Sequence, residues 1–265
     1  MTVGGILPTR IVSLIPSITE ILFTLGLDRE VVGVTRYCTQ PPEKVRVKIR
    51  IGGQKDPDLS AIRELAPDLV IANVEENRRQ DVAELRRWGI PVYVTYPRTV
   101  EQGIALIKEL GELTGRETEA LGLVSELQPL YQQVIAGTAR RSPVRVFCPI
   151  WRKPYMTINR DTYIHDVLRV AGGENVFGDQ AERYPTVTLD DAAARQPEVI
   201  LLPDEPYRFR RAHLADFTAR EDLPAARSGR IHLIDGKLLS WYGPRLAEAL
   251  RTLPPLLSAA PAGER

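Results

Sequence analysis

Seven aromatic side chains fall where predicted strands give way to loops: Tyr37, Tyr96, Trp151, Tyr155, Tyr207, Trp241 and Tyr242. The remaining tryptophans and tyrosines, Trp88, Tyr93, Tyr131, Tyr163 and Tyr184, lie elsewhere. Aromatic faces gathered on loops at one edge of a fold suit stacking on a large flat ligand; the alternative is that they plug an interface between lobes. Arg36, Arg98, Arg152 and Arg245 occupy the same loops. A guanidinium fork there would meet carboxylate or phosphate on such a ligand, although Arg245, at a helix start, also has the option of pairing within its own lobe. Glu75 and Glu76 are matched in the second half by Glu205. Acidic groups at matched places would dock a two-fold partner bearing arginines, or else they are ordinary solvated carboxylates.

Catalytic patterns are missing. His165, His213 and His232 form no i, i+4 pair and no H-E-x-x-H, and the chain holds no G-x-S-x-G, no G-x-x-x-x-G-K-[ST] and no G-x-G-x-x-G. Cys38, beside Tyr37, has the reactivity of a nucleophile or metal ligand, but it has no placed base, and a structural thiol is the simpler reading. No enzyme, metal site or cofactor is expected. Lys plus Arg number 35 against 34 Asp plus Glu, so no bulk charge recruits nucleic acid or an anionic membrane, and Arg208, Arg210 and Arg211 read as a solvated face. No apolar run reaches the roughly 18 residues of a membrane span. The two cysteines, Cys38 and Cys148, sit one in each half and are expected to be reduced thiols. The opening MTVGGILPTR lacks the charged and apolar regions of a signal peptide, which leaves two readings: a cytoplasmic protein, or one whose leader is missing from this sequence.

The elements that must position these residues alternate strand and helix. Ile11 to Ile15 reads as a strand, and Ser17-Ile-Thr-Glu20 has the form of a capping box opening a helix that Gly26 ends. A helix N-terminus at the carboxyl end of a strand favours an anion, so Ser17 joins the candidate ligand set. Val31 to Val34 is strand and Val45 to Ile51 a short extended piece. Leu59 to Leu65 is helix, Leu69 to Ala72 strand with a loop from Asn73 to Asn77, and helix resumes to Trp88. Val92 to Thr95 is strand and Val100 to Leu113 helix. Val144 to Ile150 is strand, Trp151 to Met156 loop, and Thr162 to Ala171 a helix stopped by Gly172-Gly173. Val199 to Leu202 and Ile231 to Ile234 are strands, a last amphipathic helix follows Arg245, and a frayed tail is expected from about Ser258.

The two halves repeat one another. Leu59 to Ala72 (LSAIRELAPDLVIA) aligns with Leu189 to Leu202 (LDDAAARQPEVILL), and Gly89 to Val94 (GIPVYV) aligns with Gly229 to Ile234 (GRIHLI). Between them, apolar residues at Ala120, Leu123, Val124, Leu127, Leu130, Tyr131, Val134 and Ile135 mark a helix from Arg116 to about Arg140, roughly 35 Å long and interrupted by Pro129. The expected fold is α/β: two similar lobes with mostly parallel central sheets, residues 1–113 and 142–265, joined by one long backbone helix in 114–141.

The runs RIVSLIPSITEILFTLGLDREVVGVT, RYCTQPPEKV, LAPDLVIANVEENRRQDVAELRRWGIPVYV, VLRVAGGENVFGD and SWYGPRL resemble the cobalamin-binding type of the helical-backbone metal receptor superfamily. These are the class III substrate-binding proteins of ABC importers for cobalamin, haem and iron–siderophore complexes. The resemblance spans about Arg10 to Leu250. It implies a monomeric extracytoplasmic receptor that holds a metal chelate in a cleft between stiffly joined lobes and docks an ABC permease dimer through a glutamate on each lobe. Carried over by position, the cleft set is Ser17, Tyr37, Asn73, Glu75, Tyr96, Trp151, Tyr155, Glu205, Tyr207 and Trp241, with Glu205 and Glu75 or Glu76 as docking groups. With the loop arginines and Tyr242, the candidate ligand set is Ser17, Arg36, Tyr37, Asn73, Glu75, Tyr96, Arg98, Trp151, Arg152, Tyr155, Tyr207, Trp241 and Tyr242. Three positions depart from the pattern. Asn73 stands where cobalamin binders can carry an aromatic, Arg78, Arg79 and Gln80 where a docking residue is expected, and Ala171 where they carry a cysteine. The alternative is a cytoplasmic metal- or cofactor-handling protein or enzyme reusing the same fold, with Cys38 or Glu75 as metal ligand or base.

Overall fold

The structure is a computed structural model and describes residues 7–258. The chain divides into two compact units. One holds the described residues through Pro97, together with Glu101–Leu127 and Trp241–Pro244; the other holds Arg98–Val100, Gln128–Ser240 and the described residues from Arg245 onward. Each unit thus takes in a short segment that sequence order alone would have given to the other.

In the first unit the strands are β1 (Ile11–Ser13), β2 (Val31–Val34), β3 (Ile49–Arg50), β4 (Leu69–Asn73) and β5 (Val92–Thr95), and the helices α1 (Pro16–Thr24), α2 (Pro42–Val45), α3 (Leu59–Glu64), α4 (Arg79–Arg87), most of α5 (Val100–Thr114) and the start of α6 (Glu117–Thr138). The sheet order is β3-β2-β1-β4-β5, parallel throughout. A parallel sheet is covered by helices on both faces, which is why β1 and β4 are buried along their whole length and read as unbroken apolar runs. Because all strands point one way, every strand exit lies along the same edge of the sheet.

In the second unit the strands are β6 (Val144–Phe147), β7 (Tyr155–Met156), β8 (Gly173–Asn175), β9 (Thr186–Val187), β10 (Val199–Pro203) and β11 (Ile231–Ile234). Its helices are the rest of α6, then α7 (Tyr163–Val170), α8 (Leu189–Ala194), α9 (Ala215–Thr218), α10 (Pro224–Arg227), α11 (Lys237–Ser240) and α12 (Leu246–Leu256). The main sheet is parallel, in the order β11-β10-β6-β8, and β7 and β9 form a separate antiparallel ribbon. Phe147, Phe177 and Phe217 meet in the core beneath it, with Phe147 ring centroids 5.3 Å from Phe177 and 6.5 Å from Phe217.

The internal repeat is therefore a repeat of structure. α3 and α8 occupy matching places and each carries an N-cap: Asp58 accepts from the Ala61 N–H, and Thr188 forms a capping box with Asp191. β4 and β10 follow them and occupy matching places beside β1 and β6. The long helix α6 continues through Pro129, and the division between units falls inside it, between Leu127 and Gln128.

Several local expectations are corrected. Ser17 does not cap α1: Ile15 is the N-cap residue and makes no side-chain bond, and Pro16 supplies the first helical position with its φ already set. The segment Val45 to Ile51 is not one extended piece but the end of α2 followed by the two-residue β3. β1 and β6 are shorter than expected, ending at Ser13 and Phe147. Gly172 stops α7, but Gly173 immediately begins β8, and the expected Trp151 to Met156 loop contains β7. Of the tail expected from about Ser258, all but Ser258 lies outside the described residues. Among the described residues no helix is long and apolar enough to cross a membrane.

Candidate functional site

In the first unit, the edge where the strands exit is organised by Asn73, the last residue of β4 and 4% exposed. Its carboxamide oxygen accepts from the backbone N–H groups of Glu75 (2.8 Å) and Glu76 (3.4 Å), and its nitrogen donates to Thr95 Oγ1 (3.1 Å) and the Tyr242 hydroxyl (3.2 Å). Its own N–H donates to Asn77 Oδ1 at 2.8 Å. Every donor and acceptor of the amide is used, so it holds the loop bearing Glu75 and Glu76 rather than presenting a free edge. Tyr242 also hydrogen-bonds with Ser17 and Thr95, and complete burial raises its phenol above the ordinary value. Sequence reading expected Ser17 at a helix end, Asn73 in a loop, and Trp241 and Tyr242 on an open loop. The structure keeps Ser17 in the first turn of α1, though not as its cap, places Asn73 within β4, and buries Trp241 and Tyr242 to 6% exposure each. These aromatics are covered because their segment packs into the first unit.

What remains on the surface of this edge is Tyr37 after β2 and Tyr96 after β5, 54% and 37% exposed, with Val74 after β4. The Arg36 guanidinium lies 5.6 Å from the Tyr37 ring centroid and pairs with Asp56, which holds that carboxyl below its usual range. Lys55 donates to the Glu75 carbonyl, and Asn77 Nδ2 to the Gln54 carbonyl at 3.0 Å. The exits of β2, β3, β4 and β5 are thus tied to one another by side chains.

In the second unit, the β6 exit carries Trp151, 43% exposed, which meets Tyr207 of the β10 exit edge-on with centroids 5.6 Å apart. Tyr207 packs in turn on Phe209 (4.9 Å) and His213 (5.6 Å). Arg152 forms a bidentate pair with Asp216, at 2.6 and 3.1 Å, and also hydrogen-bonds with Tyr207. Tyr155, on β7, donates to Asp216 at 2.5 Å; burial first, then this carboxylate, pushes its phenol up to about 12. The Asp216 carboxyl is held low, chiefly by the Arg152 hydrogen bond. Glu205 accepts from Ser240 Oγ at 3.1 Å. Arg98 pairs with Asp161 at 2.7 Å, and the Val100 N–H donates to Asp166 at 2.8 Å, which tethers the Arg98–Val100 segment in this unit.

Sequence reading missed Asp216, Asp56, Asn77 and Thr95. Only Asn77 carried a signal, as the second asparagine of a short N-V-E-E-N turn; Asp216 contacts a residue 64 positions away. The two thiols are fully buried. Cys38 Sγ lies 3.2 Å from both Thr19 Oγ1 and Thr35 Oγ1, and burial raises its pKa; burial pushes Cys148 up to about 12. A nucleophile must be thiolate and accessible, and neither is. Both are therefore expected to resist iodoacetamide in the native protein and to react promptly in urea, as mass spectrometry of labelled peptides will read; rapid native labelling of Cys38 would contradict the burial. Among the described residues no group of three or more His, Cys, Asp or Glu is placed to hold a metal ion.

Two like α/β units thus carry aromatic side chains at the exits of their parallel strands. Among solved structures, the fold is similar to the periplasmic vitamin B12 binding protein of Vibrio cholerae, with a TM-score of 0.84, 24% identity, and coverage of 94% of this chain and 96% of that one. It is also similar to the periplasmic heme-binding protein of Roseiflexus sp. RS-1 in apo form, with a TM-score of 0.82, 27% identity, and coverage of 93% and 97%. In sequence, the chain is 30% identical over 193 residues to the vitamin B12-binding protein of Salmonella typhimurium, covering 73% of this chain and 71% of that relative. The profile of the periplasmic binding protein family matches residues 11–238, and the chain belongs to that family.

Proposed function

We propose that this chain is an extracytoplasmic receptor for a flat metal chelate of the corrinoid or haem class, delivering it to an ABC permease. The observation that carries the reading is the placement of aromatic rings at parallel-strand exits in both units: the exposed Tyr37 and Tyr96 in the first, and in the second the exposed Trp151 with the half-buried Tyr207 against it. The relatives' names, vitamin B12-binding and heme-binding, support the same ligand class. Ring faces supply apolar contact to a macrocycle at low entropic cost, since each has only two side-chain torsions. Arg36, Arg98 and Arg152 would meet polar groups at its rim, and Ser17, Asn73, Tyr155, Trp241 and Tyr242 would support the contacting residues from beneath. Glu75, Glu76 and Glu205, all half-buried on strand-exit loops, would dock arginines of the permease. The side-chain ties across the exits keep the ordering cost of binding low.

The test is calorimetric titration with cyanocobalamin and with haemin, followed in parallel by tryptophan fluorescence. One of the two is expected to bind saturably at one to one, and Trp151→Ala is expected to weaken it about 10- to 100-fold, the effect of removing a stacking anchor. Binding of neither probe, or binding indifferent to both Trp151→Ala and Tyr207→Ala, would overturn the proposal.

A further inference from the structure

Beneath the Trp151–Tyr207 edge lies a charge arrangement in which three separate segments meet at one carboxylate and a fourth meets its arginine partner. Asp216 sits on α9, whose neighbouring Phe217 is fully buried against Phe147 and 5.6 Å from the Tyr155 ring. That burial fixes where the carboxylate stands. Onto it come Arg152 from the β6 exit, with both carboxylate oxygens used, and the Tyr155 hydroxyl from β7. The same guanidinium reaches the Tyr207 side chain of the β10 exit. Arg152 and Asp216 are only 18% and 26% exposed, so the pair is shielded more than an ordinary surface ion pair and its geometry is set by fork-to-fork bonding. Trp151 precedes Arg152 in the chain, so orienting Arg152 also orients the backbone from which the indole projects.

We infer that Asp216 is a positioning residue for the aromatic edge of the second unit, acting through Arg152 to hold Tyr207 and Trp151 in the geometry that contacts ligand. This rests on the proposed ligand face and adds to it a residue that itself touches no ligand. The requirement is directional. Asparagine at 216 retains the size but gives up the charge and one acceptor of the bidentate pair, whereas glutamate retains the charge and both acceptors on a longer stem.

The experiment uses the whole chain with Asp216→Asn, Asp216→Glu, Tyr207→Phe and the Asp216→Asn/Tyr207→Phe double variant. Trp151→Phe serves as a reference to isolate the Trp151 signal from those of Trp88 and Trp241. Acrylamide quenching of Trp151 without ligand reads the positioning directly, and titration with haemin and cyanocobalamin reads its effect on binding. Asp216→Asn is expected to raise Trp151 quenching about twofold and to weaken the bound probe about tenfold, as misplacement of a preorganised contact does. Asp216→Glu should regain most of both, and the double variant should lose no more affinity than Asp216→Asn alone, because the two changes break one chain of contacts. Tyr207→Phe, which removes only the hydroxyl that meets Arg152, keeps the test available should Asp216→Asn fail to fold; it is expected to raise Trp151 quenching in the same direction. Quenching and affinity both unchanged within experimental error in the folded variants would overturn the inference. If the unaltered chain binds neither probe, the ligand reading fails, and the quenching comparison by itself decides whether Asp216 positions the edge.

Discussion

Asn73→Ala is expected to lower the free energy of unfolding by about 3–4 kcal/mol, near the upper end for a single polar substitution. The magnitude follows from how fully the amide is used. Truncation leaves the Glu75 and Glu76 N–H groups without their acceptor, and removes a donor from Thr95 Oγ1 and from the buried Tyr242 hydroxyl. Each group so stranded, buried at Thr95 and Tyr242 and part-buried at Glu75 and Glu76, costs on the order of 1 kcal/mol, and the four share one centre, so the losses come together. Asn73→Asp separates the two halves of the effect: the carboxylate keeps the two N–H acceptors and gives up the two donations, so it should fall between the wild type and alanine. Urea denaturation monitored by circular dichroism measures all three. A loss under about 1 kcal/mol for alanine would mean that the loop and Tyr242 are held by other contacts.

A second large loss, about 3 kcal/mol or more, is expected for Gly243→Ala. Gly243 has φ +106, a backbone conformation that a side chain makes costly, and a Cβ there would stand 2.5 Å from Ile21 Cγ1 and 3.0 Å from its Cδ1. Strain and overlap add, since neither relieves the other. The cycle with Ile21→Ala distinguishes them by thermal or urea unfolding. Trimming Ile21 should recover the overlap but not the strain, so the double variant should lose at least about 1 kcal/mol less than the sum of the single losses. Strict additivity would show that the neighbours shift aside instead.

How much of this was legible in the sequence varied with the range of the interaction. α3 and α8, with β4 and β10 behind them, were readable because amphipathic spacing, a capping residue and the Pro-acid-aliphatic run are all local, and because the same phrase recurs roughly 130 residues later. β8 was not: Gly173-Glu174-Asn175 has no β-branched residue, and its place beside β6 comes from the sheet rather than from propensity. The two-residue strands β7 and β9 exist only by pairing with each other. Ser17 was misread because the S-x-x-E pattern it shares with capping boxes carries no information about Pro16 taking the first turn, or about Tyr242 claiming its hydroxyl. Within the candidate site, Tyr37, Tyr96, Trp151 and Tyr207 were placed at strand exits by alternation alone, and the structure leaves the first three open and Tyr207 half-buried. Trp241 and Tyr242 looked the same in sequence and are buried, and Asp216 carried no mark at all. What separates these cases is the partner's distance along the chain, which no local pattern encodes.

The segment Trp241–Pro244 bears on dissection of the molecule. A recombinant fragment ending at Leu127 would contain the whole five-stranded sheet, yet it would lack the stretch that supplies Tyr242 to Asn73, Ser17 and Thr95 and seats Gly243 against Ile21. Such a fragment would carry a ready-made vacancy shaped for a short peptide. The natural completion of the amino-terminal half is thus encoded more than a hundred residues beyond Leu127, so a nascent chain cannot finish that half until synthesis has passed Pro244.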